Sequence, residues 1–94
     1  MEKGDIAVRV RITGRVQGVY FRGWTQAEAE ALGLEGWVRN EPDGSVTALI
    51  VGADDLVSHM IDKLWQGPPS AEVYDVQIEP ADIAERPTGF HVAR

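Results

Sequence analysis

From Ile6 to Thr13 apolar side chains fall on every second position: Ile6, Val8, Val10 and Ile12 point one way, and Ala7, Arg9, Arg11 and Thr13 the other. That period belongs to a half-buried strand. Past a glycine-bounded loop the period changes. Trp24, Ala27 and Ala31, with the flanking Leu32 and Leu34, recur at helical spacing and predict a helix over about 22–32 that stops at Gly33, because glycine takes the left-handed conformation beyond a helix end at least cost. A short strand over 36–40 follows. Glu41-Pro42-Asp43-Gly44-Ser45 then reads as a hairpin turn, since proline presets one backbone dihedral and Asp-Gly favours the positive ones. The partner strand, 46–51, sets Val46, Ala48 and Ile50 opposite Thr47, Leu49 and Val51, and Gly52 ends it.

A second helix over 54–66 has Leu56, Val57, Met60, Ile61 and Leu64 on one face, with Trp65 beside it. Asp54 or Asp55 can cap it and favour its dipole, and Gly67-Pro68-Pro69 stops it. A strand over 71–79 carries Tyr74, Val76 and Ile78 on one face; 80–87 is a polar connection; and 89–94 is a last short strand with Phe90 and Val92 on one side. The order β-α-β-β-α-β plus a terminal strand predicts an α+β fold, a split β-α-β sandwich with two helices on one face of an antiparallel sheet. No linker, repeat or low-complexity run interrupts it, so residues 1–94 are expected to form one domain.

The loop between the first strand and first helix, Gly14-Arg15-Val16-Gln17-Gly18-Val19-Tyr20-Phe21-Arg22, draws the most attention. Such loops gather backbone N–H groups around one point beside a helix N-terminus, a combination that binds anions, phosphate above all. The stretch is neither Gly-x-x-x-x-Gly-Lys-Ser/Thr nor Gly-x-Gly-x-x-Gly, and it holds no cysteine that could form a phosphocysteine. It does hold a fixed cation, Arg22, which can give two parallel hydrogen bonds to a phosphoryl group. Gly18 suits a close backbone approach to phosphate, or simply a turn.

Composition narrows the classes. A chain of 94 residues can bury a single core without staples. With no cysteine, disulfides and thiolate metal sites are excluded, and a reducing compartment fits. The charged start Met1-Glu2-Lys3-Gly4-Asp5 is unlike a signal peptide, and no stretch approaches a membrane span; a cytoplasmic protein is expected. The net charge of −6 argues against nucleic acid or anionic membrane as partner. Residues 1–39 nevertheless carry six Lys/Arg against five Asp/Glu, while residues 40–94 carry three against ten. The positive charge thus lies near the loop, in Arg9, Arg11, Arg15, Arg22 and Arg39, although Arg9 and Arg11 also read as solvated strand-face residues. Asp55, His59 and Asp62 share a helix face and could hold a metal, but a solvated face explains them as well. Trp24, Trp37 and Trp65 read as core or core-edge.

With these residues in hand, the chain resembles the acylphosphatase family. Residues 14–22 match the signature Gly-x-Val-Gln-Gly-Val-x-Phe-Arg, with Arg15 and Tyr20 at its variable positions, and Ala29 matches an alanine expected in the helix that follows. Gly36-Trp37-Val38-Arg39-Asn40-Glu41-Pro42-Asp43-Gly44-Ser45-Val46 matches the second signature, Gly-x-Val-x-Asn-x-x-Asp-Gly-x-Val. Leu32-Gly33-Leu34, Gly67-Pro68-Pro69 and Gly89-Phe90 are also similar, so the resemblance covers essentially the whole chain. It implies a ferredoxin-like fold. It also implies metal-independent hydrolysis of the carboxyl–phosphate bond in small acyl phosphates, with no cofactor. By the same resemblance, Arg22 binds phosphate, Arg15, Val16, Gln17, Gly18, Val19, Tyr20 and Phe21 form the loop whose N–H groups hold it, and Asn40 orients the attacking water. Without the resemblance, Asn40 before Pro-Asp-Gly reads as a turn former, and Gln17 and Tyr20 as exposed loop residues.

The chemistry is consistent with so few groups. A carboxylate leaves readily, so catalysis reduces to positioning and charge stabilisation. The loop and Arg22 grip phosphoryl oxygens as charge spreads over them. A neutral amide can accept from water and donate to a neighbouring oxygen. The water's proton then goes to a phosphoryl oxygen. Inorganic phosphate, the product, should inhibit competitively, and a monomer is expected. The alternative is a non-catalytic phosphate-binding or regulatory ferredoxin-like module, of the kind built into a larger maturation protein; the chain's length and natural-looking ends favour a free-standing enzyme. An RNA-binding module would need sheet-face aromatics in a basic setting, and a copper or zinc chaperone would need Cys-x-x-Cys.

Overall fold

A computed structural model describes residues 4–93. The elements run β1 (Ile6–Arg15), α1 (Phe21–Ala31), β2 (Glu35–Asn40), β3 (Val46–Gly52), α2 (Asp54–Gln66), β4 (Glu72–Pro80) and β5 (Phe90–Val92). The strands form one sheet in the order β4-β1-β3-β2-β5. β1 pairs antiparallel with β3 and β4, and β2 antiparallel with β3. Both helices pack on one face, the ferredoxin-like arrangement expected. The antiparallel description stops at the last strand: β5 runs parallel to β2, with Gly36 opposite Phe90 and Val38 opposite Val92, so the sheet is mixed. The end of the last predicted strand, Arg94, lies outside the described residues.

Register follows the apolar pattern, because a slip of one residue would turn every core side chain outward. Val10 faces Ala48 and Ile12 faces Val46, Val38 faces Ala48, and these join the helix residues in one buried cluster. From α2 that cluster takes Val57, Met60 and Leu64. Fully burying a side chain such as Leu64 contributes about 1.5–3 kcal/mol.

The buried stripe of α1 differs from the one the spacing predicts. Ala27 and Ala31 are exposed, and the inward positions are Phe21, Thr25 and Ala29, with Trp24 partly buried against Phe21. Phe21 belongs to the helix rather than the loop, which sets the stripe's phase. At α2 no aspartate side chain caps the helix; Ala53 is the N-cap, and Asp54 and Asp55 lie in the first turn, where they favour the dipole. Trp65 is exposed, as are Tyr74 and Ile78 of the edge strand β4, where only Val76 of the expected face is buried. The β1–β4 register shifts between Thr13 and Gly14, so Gly14 faces Val73 and Tyr74 is left over. A Cβ on Gly14 would collide with the Glu72 carbonyl, which is why glycine stands there.

The opposite face is partly covered too. Leu49 and Val51 of the central strand are buried there with Ala7, against Trp37 and Ala81. The cover comes from the connection after β4. Ala81 donates its N–H to the Ala7 carbonyl at 3.0 Å, a short helical turn at Ile83–Glu85 follows, and Arg86 pairs with Asp5 and Glu35 at the N-terminal ends of β1 and β2. This strap sits at the end of the sheet away from the β1–α1 loop.

Candidate active site

β1 ends at Arg15, and five residues later the chain enters α1 through Tyr20, whose φ of 64° is left-handed. Gly18 is also left-handed, at φ 74°. Two such residues curl the loop. Among the described residues, none of the N–H groups of residues 17–23 donates to a backbone carbonyl. The first turn of α1 has no acidic residue and no side-chain cap, in contrast to α2 with its two aspartates. Orphan amides at a helix start carry partial positive charge and favour an anion.

The charges reinforce this. Arg9 pairs with Glu85, Arg11 with Asp43, Arg39 with Glu41, Lys63 with Glu28, and Arg86 with Asp5 and Glu35. Arg9 and Arg11 are exposed, as a solvated strand face requires, yet both are paired. Arg15 and Arg22 have no ion-pair partner among the described residues. Arg22 lines a cleft of about 710 Å³ together with Val16, Gly18, Tyr20 and Phe21 from the loop and Asn40 from the end of β2. The fold thus brings two segments that are far apart in sequence to one cavity.

Of the other loop residues, Arg15 is exposed at the end of β1 and Val19 is partly buried against the main cluster. Neither lines the cleft. Gln17 turns its side chain away and donates to the carbonyls of Glu41 at 2.8 Å and Ser45 at 2.9 Å. Its exposed-loop description is therefore corrected: the side chain ties the loop to the turn that follows Asn40. Three lining residues escaped the sequence, namely Gly23, Gln26 and Val92. Gly23 and Gln26 lie one position and one helical turn beyond Arg22, a signal that was available. Val92 gave none, because its place depends on the parallel pairing of β5.

Asn40 is held by its neighbours. Its strand pairs it with Val46. In the turn beyond, Gly44 takes φ 93°, and Asp43 accepts from the backbone N–H and the hydroxyl of Ser45. The Ser45 bonds hold the Asp43 carboxyl below its usual range. The Thr47 hydroxyl, then Arg39, does the same for Glu41. Both acids are thus satisfied inside the turn, and their charge is answered by Arg11 and Arg39 rather than by Arg22. The Asn40 amide oxygen, by contrast, is buried with no hydrogen-bond partner. An unmet buried acceptor costs about 1–3 kcal/mol, so the site carries a group suited to a donor that arrives in the cleft.

A phosphoryl dianion fits the amides and the guanidinium, while the Asn40 oxygen suits a donor such as water. A metal held by side chains does not fit: among the described residues no group of three His, Cys, Asp or Glu gathers anywhere, Asp55, His59 and Asp62 included.

Comparison with known proteins gives the family and the fold. A family model for acylphosphatase matches residues 8–92. An acylphosphatase of Rhizobium meliloti (strain 1021) is 63% identical over 94 residues, spanning 100% of this chain and 99% of that one. A solved acylphosphatase from Coxiella burnetii superposes with a TM-score of 0.91 at 36% identity, covering 96% of this chain and 94% of that one. One from Bacillus subtilis does so with 0.90 at 31%, covering 95% and 99%. Together with the two signatures and the cleft they build, these matches place the chain in the acylphosphatase family.

Proposed function

We propose that this acylphosphatase-family enzyme cleaves the carboxyl–phosphate bond of small acyl phosphates without a metal, using the loop amides of residues 15–21 and Arg22 to hold the phosphoryl group and Asn40 to orient water. Acyl phosphate hydrolysis itself comes with the family. The division of labour rests above all on one observation: a set of unspent backbone N–H groups and a guanidinium without an ion-pair partner among the described residues share a cleft with a buried, unpartnered amide oxygen.

In this mechanism the phosphoryl oxygens accept from the loop amides and from Arg22, whose planar fork can give two bonds at once. The Asn40 oxygen accepts from a water molecule in line with the bond to be broken. Water oxygen attacks phosphorus, the P–O bond to the acyl carbon's oxygen breaks, and the electron pair leaves with the carboxylate. One water proton passes to a phosphoryl oxygen, so the products are a carboxylate and dihydrogen phosphate. Charge spreads over the held oxygens at the transition state, where fixed dipoles are most effective. Inorganic phosphate fits the same cradle and inhibits competitively. The absence of cysteine fits a reducing compartment, and no helix among the described residues is long and apolar enough to cross a membrane; a monomeric cytoplasmic enzyme of one domain is part of the proposal.

Hydrolysis of benzoyl phosphate in excess chelator, on wild type and Asn40→Ala together, tests it. Chelator-resistant turnover that falls about 10²–10³-fold in the variant is expected. A wild type that binds inorganic phosphate without turnover would instead identify a regulatory, non-catalytic module.

A further inference from the structure

Two side-chain amides line the cleft: Asn40 at the end of β2, and Gln26 one turn beyond Arg22 on α1. Orienting the attacking water uses only the first. Gln26 is partly buried, and its nitrogen donates to the Phe90 carbonyl of β5 at 3.1 Å. The direction of that carbonyl follows from the sheet. In a parallel pair, alternate residues of a strand bond to the same neighbour. Gly89 accepts from the Gly36 N–H, and Ala93 donates to the Val38 carbonyl, so these positions face β2. Phe90 is one position out of step and faces the other way, and β5 is an edge strand with no neighbour on that side. Gln26 meets the carbonyl that the sheet leaves bare there.

A carbonyl can only accept, so it fixes the amide with its nitrogen toward Phe90. That nitrogen carries two hydrogens, and Phe90 takes one. Among the described residues the amide makes no other hydrogen bond. A second N–H is thus anchored on a wall of the cleft and unspent. On the reading of the preceding section, charge grows in two places as the P–O bond breaks: on the phosphoryl oxygens, and on the acyl oxygen that keeps the electron pair. The loop amides and Arg22 answer the first. We propose that Gln26 answers the second, as a further catalytic residue whose second N–H donates to the leaving carboxylate. No proton is transferred in this step; the carboxylate leaves as an anion and accepts a hydrogen bond as it forms. That bond strengthens as charge develops, so it favours the transition state over the substrate. An in-line reaction holds water and leaving group on opposite sides of phosphorus, and the two amides stand on different walls, β2 and α1. The anchor at Phe90 fixes the donor before the charge appears, which spares reorganisation at the moment of reaction.

The test is the leaving-group dependence of kcat across ring-substituted benzoyl phosphates, which share one shape and differ in the acidity of the acid released. Gln26→Met keeps the length and the helix propensity of the side chain and removes the donor. It is expected to lower kcat about two- to tenfold, the usual worth of a neutral hydrogen bond. The loss should be largest for the weakest acids, so that log kcat falls more steeply with acid pKa than in wild type. Inhibition by inorganic phosphate, which has no acyl oxygen, should stay within about twofold of wild type. Phe90→Leu trims the buried side chain that seats β5 and leaves Gln26 in place; it should lower stability and keep the wild-type slope. An unchanged slope in Gln26→Met, or the same steepening in Phe90→Leu, overturns the leaving-group role and leaves the hydrolytic mechanism standing. A wild type that hydrolyses none of the series overturns both.

Discussion

The side-chain amide of Gln17 donates to the backbone carbonyl of Glu41 at 2.8 Å, one residue beyond Asn40. Its second bond, to Ser45, closes the other side of the same turn. The loop of orphan amides and the strand end with the unpartnered amide oxygen are therefore one mechanical unit. In the proposed mechanism, this link sets the distance between the held phosphoryl group and the water at Asn40.

Removing the link should misplace Asn40 while leaving the phosphate cradle in being. Gln17→Met keeps the volume and loses the donor. A fall of about tenfold in kcat is expected, with the inhibition constant of inorganic phosphate moving less than about twofold and stability falling about 1 kcal/mol. Steady-state kinetics with phosphate inhibition measures this. An unchanged kcat would show that the turn keeps Asn40 in place unaided.

Arg22 and Asn40 should separate binding from turnover. In Arg22→Ala the inhibition constant for inorganic phosphate should rise about 10–100-fold, the usual worth of a charge-assisted hydrogen bond. In Asn40→Ala phosphate should bind nearly as in wild type while kcat falls about 10²–10³-fold. Equal loss of both parameters in both variants would sink this division.

Acid should loosen the turn in a defined window. Glu41 and Asp43 titrate below their ordinary values of 4.5 and 3.8, Glu41 chiefly through Thr47 and Asp43 chiefly through Ser45. A carboxyl whose folded pKa is lowered contributes stability that is complete above the ordinary value and is lost as pH falls through the lowered one. Melting temperature should thus drop as pH goes from about 5 to about 3. Thr47→Val removes the hydroxyl on Glu41 and should flatten that drop. Parallel melting curves across the whole range would refute the assignment.

Close backbone approach should make one glycine irreplaceable and leave another tolerant. Gly36 stands at φ 145°, and a Cβ there would overlap the Leu49 carbonyl of the paired strand. Gly36→Ala should cost about 3 kcal/mol or more. Gly33, at φ 70°, faces open space, so Gly33→Ala should cost only about 1 kcal/mol, the backbone preference alone. Urea unfolding of the pair gives the comparison.

Some elements could be read from the chain because their signals are local. The predicted 54–66 is the observed Asp54–Gln66: its apolar face and its Gly67 stop, at φ 67°, both lie within the segment. The two signatures likewise placed Arg22 and Asn40, which share the cleft. What escaped depends on tertiary context. The α1 stripe was misphased because Phe21 looked like loop and Thr25 looked polar, yet both are buried. The burial of Leu49 and Val51 depends on the strap after β4, which has no periodicity of its own. Val92 reaches the cleft only through a parallel pairing between strands some fifty residues apart.

That pairing has a consequence for how the protein comes into being. Gln26 donates to the Phe90 carbonyl at 3.1 Å, and Ala93 donates to the Val38 carbonyl at 2.8 Å, so β5 closes the cleft from the far end of the sequence. A nascent chain can curl its amide loop early, but it has no finished cleft until β5 has left the ribosome and docked beside β2. Contacts this distant along the chain slow folding, because loop closure must precede their reward. The finished cleft therefore waits for β5, and a chain cut short before β5 would keep its orphan amides and lose the wall that Val92 contributes.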